Sequence, residues 1–220
     1  MVHDDASARA VRPAGPTGQD ALREALKEVA VALKESEAPF ALAGGYGLWA
    51  RGGPEPRHDV DFMVAEEDAA RVRDLLAARD LVVVQPPEDW LFKVFIDDAM
   101  VDIIFRVDGE TIHRGRFDDA EVLEVDSVRM PVLPATVLLA DKLNALEEHA
   151  CDLTPLLPVA RAVREQVDWT DVAARTTGNP FAEACLLLLR RLAVAEPAER
   201  NPAWRAGEAN ASLSSHTARG

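Results

Sequence analysis

The chain has 220 residues, of which 48% are hydrophobic and 28% are charged, and its formal net charge is −14. A chain of this length and composition can bury a substantial core, either as one domain or as a domain with a helical appendage. No apolar run approaches the roughly 20 residues of a membrane-spanning helix, and the acidic start lacks the apolar core of a signal peptide. We therefore expect a cytoplasmic protein that has no membrane partner. The acid excess also opposes binding to long nucleic acid, because the phosphate backbone carries the same sign of charge.

The two ends of the chain lack hydrophobic periodicity, and we expect residues 1–19 and 196–220 to be disordered, with Trp204 as an anchor in the tail. Residues 20–133 predict an α+β domain in which helices flank a mixed sheet, and residues 134–195 predict a C-terminal helical subdomain. The two cysteines, Cys151 and Cys185, are expected in helices as buried, reduced thiols.

The first predicted element is an amphipathic helix over 20–37. Leu22, Leu26 and Leu33 recur at helical spacing, and Pro39 marks the end of the segment. This pattern predicts a helix that covers one face of the sheet.

A glycine pair then stands a fixed distance ahead of two aspartates. Gly44 and Gly45 follow the apolar run 40–43, and they predict a turn whose backbone N–H groups can approach a phosphate without obstruction by side chains. A short helix over 46–51 and the breaker-rich segment 52–56 follow this turn.

Segment 58–64 alternates apolar and polar residues with a period of two, which predicts a strand. Asp59 and Asp61 then project from the same face, roughly 6.5 Å apart at Cα. Two parallel carboxylates repel each other, and either a shared proton or a divalent cation relieves the repulsion. Aspartates at this spacing suit Mg²⁺.

A helix over 66–79 and a buried strand over 81–84 come next, followed by a hairpin with strands over 90–96 and 100–105. Asp102 is the odd residue in its apolar strand. An unpaired carboxylate there would be costly unless it accepts hydrogen bonds or ligates an ion.

Lys93 and Arg106 lie on or directly beside the hairpin strands, and we expect surface positions for both. Residues 108–120 predict a polar loop, and 122–133 predict one or two short strands.

A helix over 134–149 would place Lys142 and His149 side by side at the edge of its apolar stripe. A lysine in that position either extends along the surface or contacts a ligand. Asp152 precedes a helix start at Thr154, where anions are favoured. The remaining pattern predicts a helix over 156–166, a break over 176–180 and a closing helix over 181–194.

The ordered set Gly44-Gly45, Asp59-x-Asp61 and Asp102 resembles the signature of the DNA polymerase β-like nucleotidyltransferase superfamily. The resemblance covers residues 20 to 195 and is strongest to small bacterial members, the antibiotic nucleotidyltransferases and the abortive-infection or type IV toxin nucleotidyltransferases. Arg57 departs from the pattern, since relatives often carry Thr or His at that place.

The resemblance implies transfer of an NMP from an NTP to a hydroxyl acceptor with release of pyrophosphate. It implies that Asp59, Asp61 and Asp102 bind Mg²⁺, with two ions expected and Mn²⁺ as a substitute, and that Asp102 accepts the proton of the attacking hydroxyl. Gly44, Gly45 and Lys142 would neutralise the phosphates.

By the same resemblance Asp152 would help to order the nucleotide site, or it would only stand ahead of a helix start. The acceptor is left open between a small molecule, a protein and a tRNA end. One alternative is a toxin-type enzyme that modifies tRNA, in a toxin–antitoxin pair or in phage defence, with an antitoxin as partner. Another is a non-catalytic protein that binds a nucleotide or a partner on the same fold.

Overall fold

The computed structural model describes residues 18–97, 99–107 and 109–195, and these form an α+β fold around a mixed sheet. The strands are β1 (Phe40–Leu42), β2 (Val60–Val64), β3 (Val82–Val84), β4 (Leu91–Ile96), β5 (Ala99–Ile104), β6 (Arg106–Val107), β7 (Glu110–Thr111), β8 (Glu121–Val125) and β9 (Val128–Val132). The helices are α1 (Gly18–Glu35), α2 (Gly44–Ala50), α3 (Glu66–Ala77), α4 (Ala135–Asn144), α5 (Leu156–Val163), α6 (Trp169–Arg175) and α7 (Pro180–Arg191). The predicted disordered ends, with Trp204, lie outside the described residues, apart from the first residues of α1.

The sheet has the strand order β3-β4-β5-β2-β1-β9-β8. The pairs β2–β5 and β1–β9 are parallel and the other neighbours are antiparallel, while β6 and β7 form a separate ribbon. This arrangement confirms the predicted α+β class with a mixed sheet. The sheet brings β2 and β5, which are far apart in sequence, to its centre.

One face of the central strands is buried against α1, which also contacts α3. Val60 and Phe62 of β2 and Val101 and Ile103 of β5 are fully buried in this core. Because side chains alternate along a strand, Asp61 and Asp102 project to the opposite face. None of the described helices is long and apolar enough to span a membrane.

The strand predicted as buried over 81–84 is instead an edge strand. In β3, Val82 is 60% exposed and Val84 is 41% exposed. Within the described residues β3 pairs with β4 alone, so its outer side has no neighbouring strand. The prediction of burial was wrong because a run of valines does not reveal the position of a strand within a sheet.

The helix predicted over 134–149 ends earlier, at Asn144. The side-chain amide of Asn179 donates to the carbonyls of Asn144 and Leu146 at 3.1 Å each, and these bonds satisfy carbonyls that would otherwise continue the helix. His149 therefore does not lie beside Lys142, and that expectation was wrong. Cys151 is also beyond the helix and exposed.

The other cysteine, Cys185, is buried in α7 as predicted, and burial raises the pKa of its thiol. The predicted break over 176–180 lies between α6 and α7. The helix α6 was not predicted, although the Asp168 side chain accepts hydrogen bonds from the N–H groups of Thr170 and Asp171 in the manner of an N-cap.

Arg51 follows α2 and joins it to the start of the helical segment. Its Nε donates to the Leu133 carbonyl at 2.6 Å, and another guanidinium nitrogen donates to the Val132 carbonyl at 3.2 Å. The Gln166 side chain in turn donates to the Arg51 carbonyl at 2.8 Å. One residue thus connects α2, the end of β9 and the turn after α5.

Tyr46 in α2 is the single tyrosine of the chain, and it is fully buried. Its hydroxyl has no hydrogen-bond partner among the described residues. Burial, and next the charge of Glu55, raises the pKa of Tyr46 from 10.0 to about 12. The phenol is therefore expected to stay neutral in the folded protein at pH values where it ionises in the unfolded chain.

We expect absorbance at 295 nm to titrate near pH 12 in the folded protein and near pH 10 in denaturant. Since the folded pKa is raised, the stabilising contribution of Tyr46 is complete below about pH 10 and is lost as the pH rises through about 12. The matched control is Tyr46→Phe, which should abolish the titration and this loss of stability. A folded-state midpoint near pH 10, with circular dichroism unchanged, would contradict the burial of the phenol.

Candidate active site

Three aspartates meet on the open face of the central sheet. Asp61 in β2 lies directly opposite Asp102 in the parallel strand β5, and Asp59 precedes β2 by one residue. Each offers a carboxylate oxygen, and these oxygens lie within 4.8 Å of one another. The structure thus brings together the three carboxylates that the sequence singled out.

The electrostatics of the cluster favour a bound cation. Burial, and next the charges of Asp59 and Asp102, raises the pKa of Asp61 to about 7. Burial also raises the pKa of Asp102, against the opposing effect of Lys93. A group of crowded carboxylate oxygens whose ionisation is disfavoured is stabilised by a proton or by a hard divalent ion. The donor set therefore fits Mg²⁺ or Mn²⁺.

Lys93 is a member of this cluster. Its Nζ donates to both carboxylate oxygens of Asp102, at 2.9 and 3.1 Å, and the two residues are direct partners in the β4–β5 register. The expectation of a surface position for Lys93 was therefore wrong. Strand alternation alone could not reveal the contact, because it depends on which strands become neighbours.

The glycine turn holds Asp61 in place. Gly44 has a φ of +52°, and a Cβ built on it would lie 1.8 Å from Asp61 Oδ2. The Gly45 N–H donates to the Asp61 carboxylate and lowers its pKa, while the Ala43 N–H donates to the Asp61 carbonyl at 2.8 Å. The Gly45 N–H, which was predicted to approach a phosphate, thus has an aspartate as its partner in this structure.

Lys142 reaches the same region from the last turn of α4. Its charge lowers the pKa of Asp61, and its ammonium forms no hydrogen bond or ion pair with the described part of the chain. The neighbouring Asp141 accepts a hydrogen bond from Arg116 at 2.6 Å. Lys142 is therefore a cation close to the carboxylates whose hydrogen-bonding capacity is available to a ligand.

A cavity of about 920 Å³ opens above these residues. Its polar wall includes Gly44, Gly45, Asp59, Asp61 and Lys142. A second wall is apolar and comes from α2, α4 and the start of α5; it comprises Leu48, Leu138, Ala145, Pro155 and Val159. Cavities of this size and composition are typical of small-molecule binding sites.

The cavity is also lined by Met63, Trp90, Ile104 and Arg106. Arg106 was predicted at the surface, but it lines the cavity, and its guanidinium binds the carboxylates of Glu66 and Asp89. The sequence could not predict these contacts of Arg106, because both partners come from distant segments of the chain.

Asp152 and His149 do not line the cavity. Asp152 is exposed, and its carboxylate accepts a hydrogen bond from the Thr154 N–H at 2.9 Å, which lowers its pKa. This contact places Asp152 in a turn ahead of α5, which begins at Leu156, and the role of Asp152 in the nucleotide site stays a prediction. Arg57 and His58, which precede the first aspartate, do line the cavity.

No family model matches the chain, and no curated protein matches it by sequence. Among solved structures, the chain is similar to the antibiotic-resistance factor ANT(2'')-Ia, with a TM-score of 0.56 and 15% identity over 77% of this chain and 96% of that one. It is also similar to the lincosamide antibiotic adenylyltransferase LnuA, with a TM-score of 0.45 and 12% identity over 70% and 97%.

A third similar structure is an antigenic nucleotidyltransferase-like protein from Paracoccidioides brasiliensis, with a TM-score of 0.45 and 14% identity over 76% of this chain and 93% of that one. At these sequence identities the similarity shows a shared fold and nothing more. That conclusion rests on ANT(2'')-Ia, whose TM-score is 0.56. The chain has the fold of the polymerase β-like nucleotidyltransferases, as the resemblance in its sequence predicted.

Proposed function

We propose that the protein is a metal-dependent nucleotidyltransferase, which moves an NMP from an NTP to a hydroxyl acceptor and releases pyrophosphate. The observation that carries this proposal is the cluster of Asp59, Asp61 and Asp102, whose oxygens lie within 4.8 Å of one another. The cluster stands beside a cavity of about 920 Å³ on a nucleotidyltransferase fold. A structural role alone does not account for three carboxylates gathered where their charges repel.

The three aspartates would hold the divalent ions. Bound there, Mg²⁺ would polarise the triphosphate and lower the pKa of the attacking hydroxyl. The oxygen donors and the raised pKa of Asp61 support this assignment.

The remaining groups act on the nucleotide and the acceptor. The acceptor oxygen attacks the α-phosphorus, the bond from that phosphorus to the β-phosphate oxygen breaks, and pyrophosphate leaves with the electron pair. Asp102 takes the hydroxyl proton. Lys142 and the glycine turn neutralise the charge that develops on the departing phosphates.

We propose a small-molecule acceptor, with a nucleotide lying against the apolar wall from α4 and α5. The size of the cavity supports this choice, and the net charge of −14 opposes a tRNA acceptor. The similar protein ANT(2'')-Ia is an antibiotic-resistance factor. It has been crystallised in complex with a small molecule, adenylyl-2''-tobramycin.

The decisive experiment is to incubate the purified protein with each α-labelled NTP, Mg²⁺ and a cell extract, and to ask which fraction gains label. We expect label in the small-molecule fraction and none with Asp61→Asn. Label in RNA would instead support the tRNA-modifying alternative, in which an antitoxin becomes the expected partner. Binding of NTP without label in any fraction would support the non-catalytic alternative.

Lys142→Met tests the phosphate contact. Because the ammonium forms no hydrogen bond or ion pair in the described part of the chain and acts on Asp61 only through its charge, the melting temperature without ligand should change little. The stabilisation by Mg²⁺ and NTP should weaken, since loss of a charge-assisted bond costs roughly 1.5–3 kcal/mol, or about ten- to a hundredfold in affinity. Titration of NTP by thermal melt measures this difference.

The matched control is Lys34→Met, which removes the same charge from the last turn of α1, where the helix dipole acts in the same way. It should leave the NTP-induced shift unchanged. Superimposable titration curves for the wild type and Lys142→Met would remove Lys142 from the nucleotide site.

A further inference from the structure

Lys93, Asp102 and Asp61 form one row across three neighbouring strands. Lys93 in β4 is the direct partner of Asp102 in β5, and Asp102 is the direct partner of Asp61 in β2. Partners at the same level of a sheet project to the same face. A fixed positive charge therefore stands at the end of a row of two negative charges.

The contact between Lys93 and Asp102 is enclosed. The side chain of Lys93 is 24% exposed and that of Asp102 is 9% exposed. The lysine Nζ lies near both carboxylate oxygens and also 3.5 Å from the Met100 sulfur. Among the described residues, Asp61 by contrast receives only the Gly45 N–H and the more distant charge of Lys142. Asp102 is thus already paired with a cation, whereas no lysine or arginine in the described part of the chain forms an ion pair with Asp59 or Asp61.

We propose that Lys93 sets how many divalent ions the three carboxylates bind before a nucleotide arrives. The inference rests on the proposed function. The three ionised aspartates and Lys93 together carry a formal charge of about −2. One divalent ion balances this charge. An ion that ligated Asp102 would stand within a few ångströms of the ammonium and be repelled by it.

A carboxylate has about four lone-pair positions, so Lys93 does not block Asp102 sterically from a second ion. The opposition is one of charge, and the negative triphosphate of a bound NTP offsets it. Asp59 and Asp61 would therefore hold the first ion, and Asp102 would contribute to a second ion only once a nucleotide is bound. Lys93 is a positioning residue in this account, because it acts on the substrate only through Asp102.

The test measures the binding of Mn²⁺ without nucleotide. Electron paramagnetic resonance quantifies the ion that stays free. We expect the wild type to bind one ion. Lys93→Met should bind two, with the first held at least about tenfold more tightly, since a competing charge has been removed. Lys93→Arg, which keeps the charge, should resemble the wild type. Lys27→Met, which removes a lysine paired with Glu24 and Asp126, is the matched control.

Thermal melts supply a second readout. In EDTA, Lys93→Met should melt at a lower temperature because Asp102 is left buried without a partner, and Mn²⁺ should raise that temperature by more than it does in the wild type. A merely structural ion pair would lower the temperature in EDTA without enlarging the shift. If Lys93→Met does not fold, Lys93→Gln removes the charge while it retains a donor, and the same results are expected.

An unchanged number and affinity of bound Mn²⁺ in the folded variants would overturn the inference, and so would weaker binding. Either result would leave the proposed function intact, provided that the wild type binds the ion. If neither the wild type nor the Lys93 variants bind Mn²⁺, both the inference and the metal-dependent function fail.

Discussion

Asp61→Asn should abolish nucleotidyl transfer and, in the same protein, raise the free energy of unfolding measured in EDTA near pH 8. The carboxylate is held among two others, and burial is the largest cause of the rise of its pKa to about 7. Asparagine has nearly the same shape, and its carbonyl oxygen can still accept the Gly45 N–H. It removes a destabilising charge and, under the proposed function, a metal ligand at once.

The pH dependence follows from the direction of the shift. Because the folded pKa of Asp61 lies above its ordinary value of 3.8, stability is highest below about pH 4 and is lost as the pH rises to about 7. This difference corresponds to on the order of 4 kcal/mol. Burial of an amide offsets part of it, so we expect a net gain of roughly 1–3 kcal/mol.

Urea unfolding of the wild type and Asp61→Asn at several pH values in EDTA measures the effect. The advantage of the variant should grow between about pH 4 and 7 and then stay constant. Asp119→Asn, which removes an exposed charge, should show no such trend. Adding Mg²⁺ should stabilise the wild type alone. Strong destabilisation by Asp61→Asn would mark Asp61 as structural, and retained transfer would contradict the metal site.

Gly44→Ala should have the second large effect, because its new methyl group would lie 1.8 Å from Asp61 Oδ2. Either the turn or the aspartate must move, and the arrangement of the three carboxylates is lost with it. We expect the free energy of unfolding to fall by roughly 3 kcal/mol, from this overlap together with the left-handed backbone. Transfer activity should fall to background.

Gly178→Ala is the matched control, because Gly178 also has a positive φ, of +90°, but no atom lies within 4 Å of a Cβ built there. Gly178→Ala should lower the free energy of unfolding by about 1 kcal/mol and leave the transfer activity unchanged. In an Asp61→Ala background the cost of Gly44→Ala should shrink, which a double-mutant cycle measures. Equal costs for the two glycines in the wild type would show that the overlap is relieved without moving Asp61.

The sequence predicted the elements that carry the carboxylates because their signals are local. The alternation in 58–64 and the single polar residue in an apolar strand predicted where Asp61 and Asp102 would point, and their proximity agrees with the resemblance to a known fold. Pairing between strands is a long-range property, however. The contact of Lys93 with Asp102 and the exposure of β3 both depend on the strand order, which local patterns do not contain.

The end of α4 shows the same limit for helices. Residues 145–149 have the composition of a continuing helix, and nothing within them marks the stop. The stop comes from Asn179, more than thirty residues later, whose amide satisfies the last carbonyls. The placement of Lys142 could be predicted because it lies before this point, whereas the placement of His149 could not.

The bonds of Arg51 bear on the kinetics of ligand entry. The residue closes α2, which begins with the glycine turn, and it binds the carbonyls just before α4, which carries Lys142. Two of the helices that line the cavity, α2 and α4, are therefore attached to one nearly buried guanidinium. A cleft that is shaped before its ligand arrives requires little ordering on association. Nucleotide binding should then follow a single concentration-dependent phase in stopped-flow measurements, without a slower closing phase behind it.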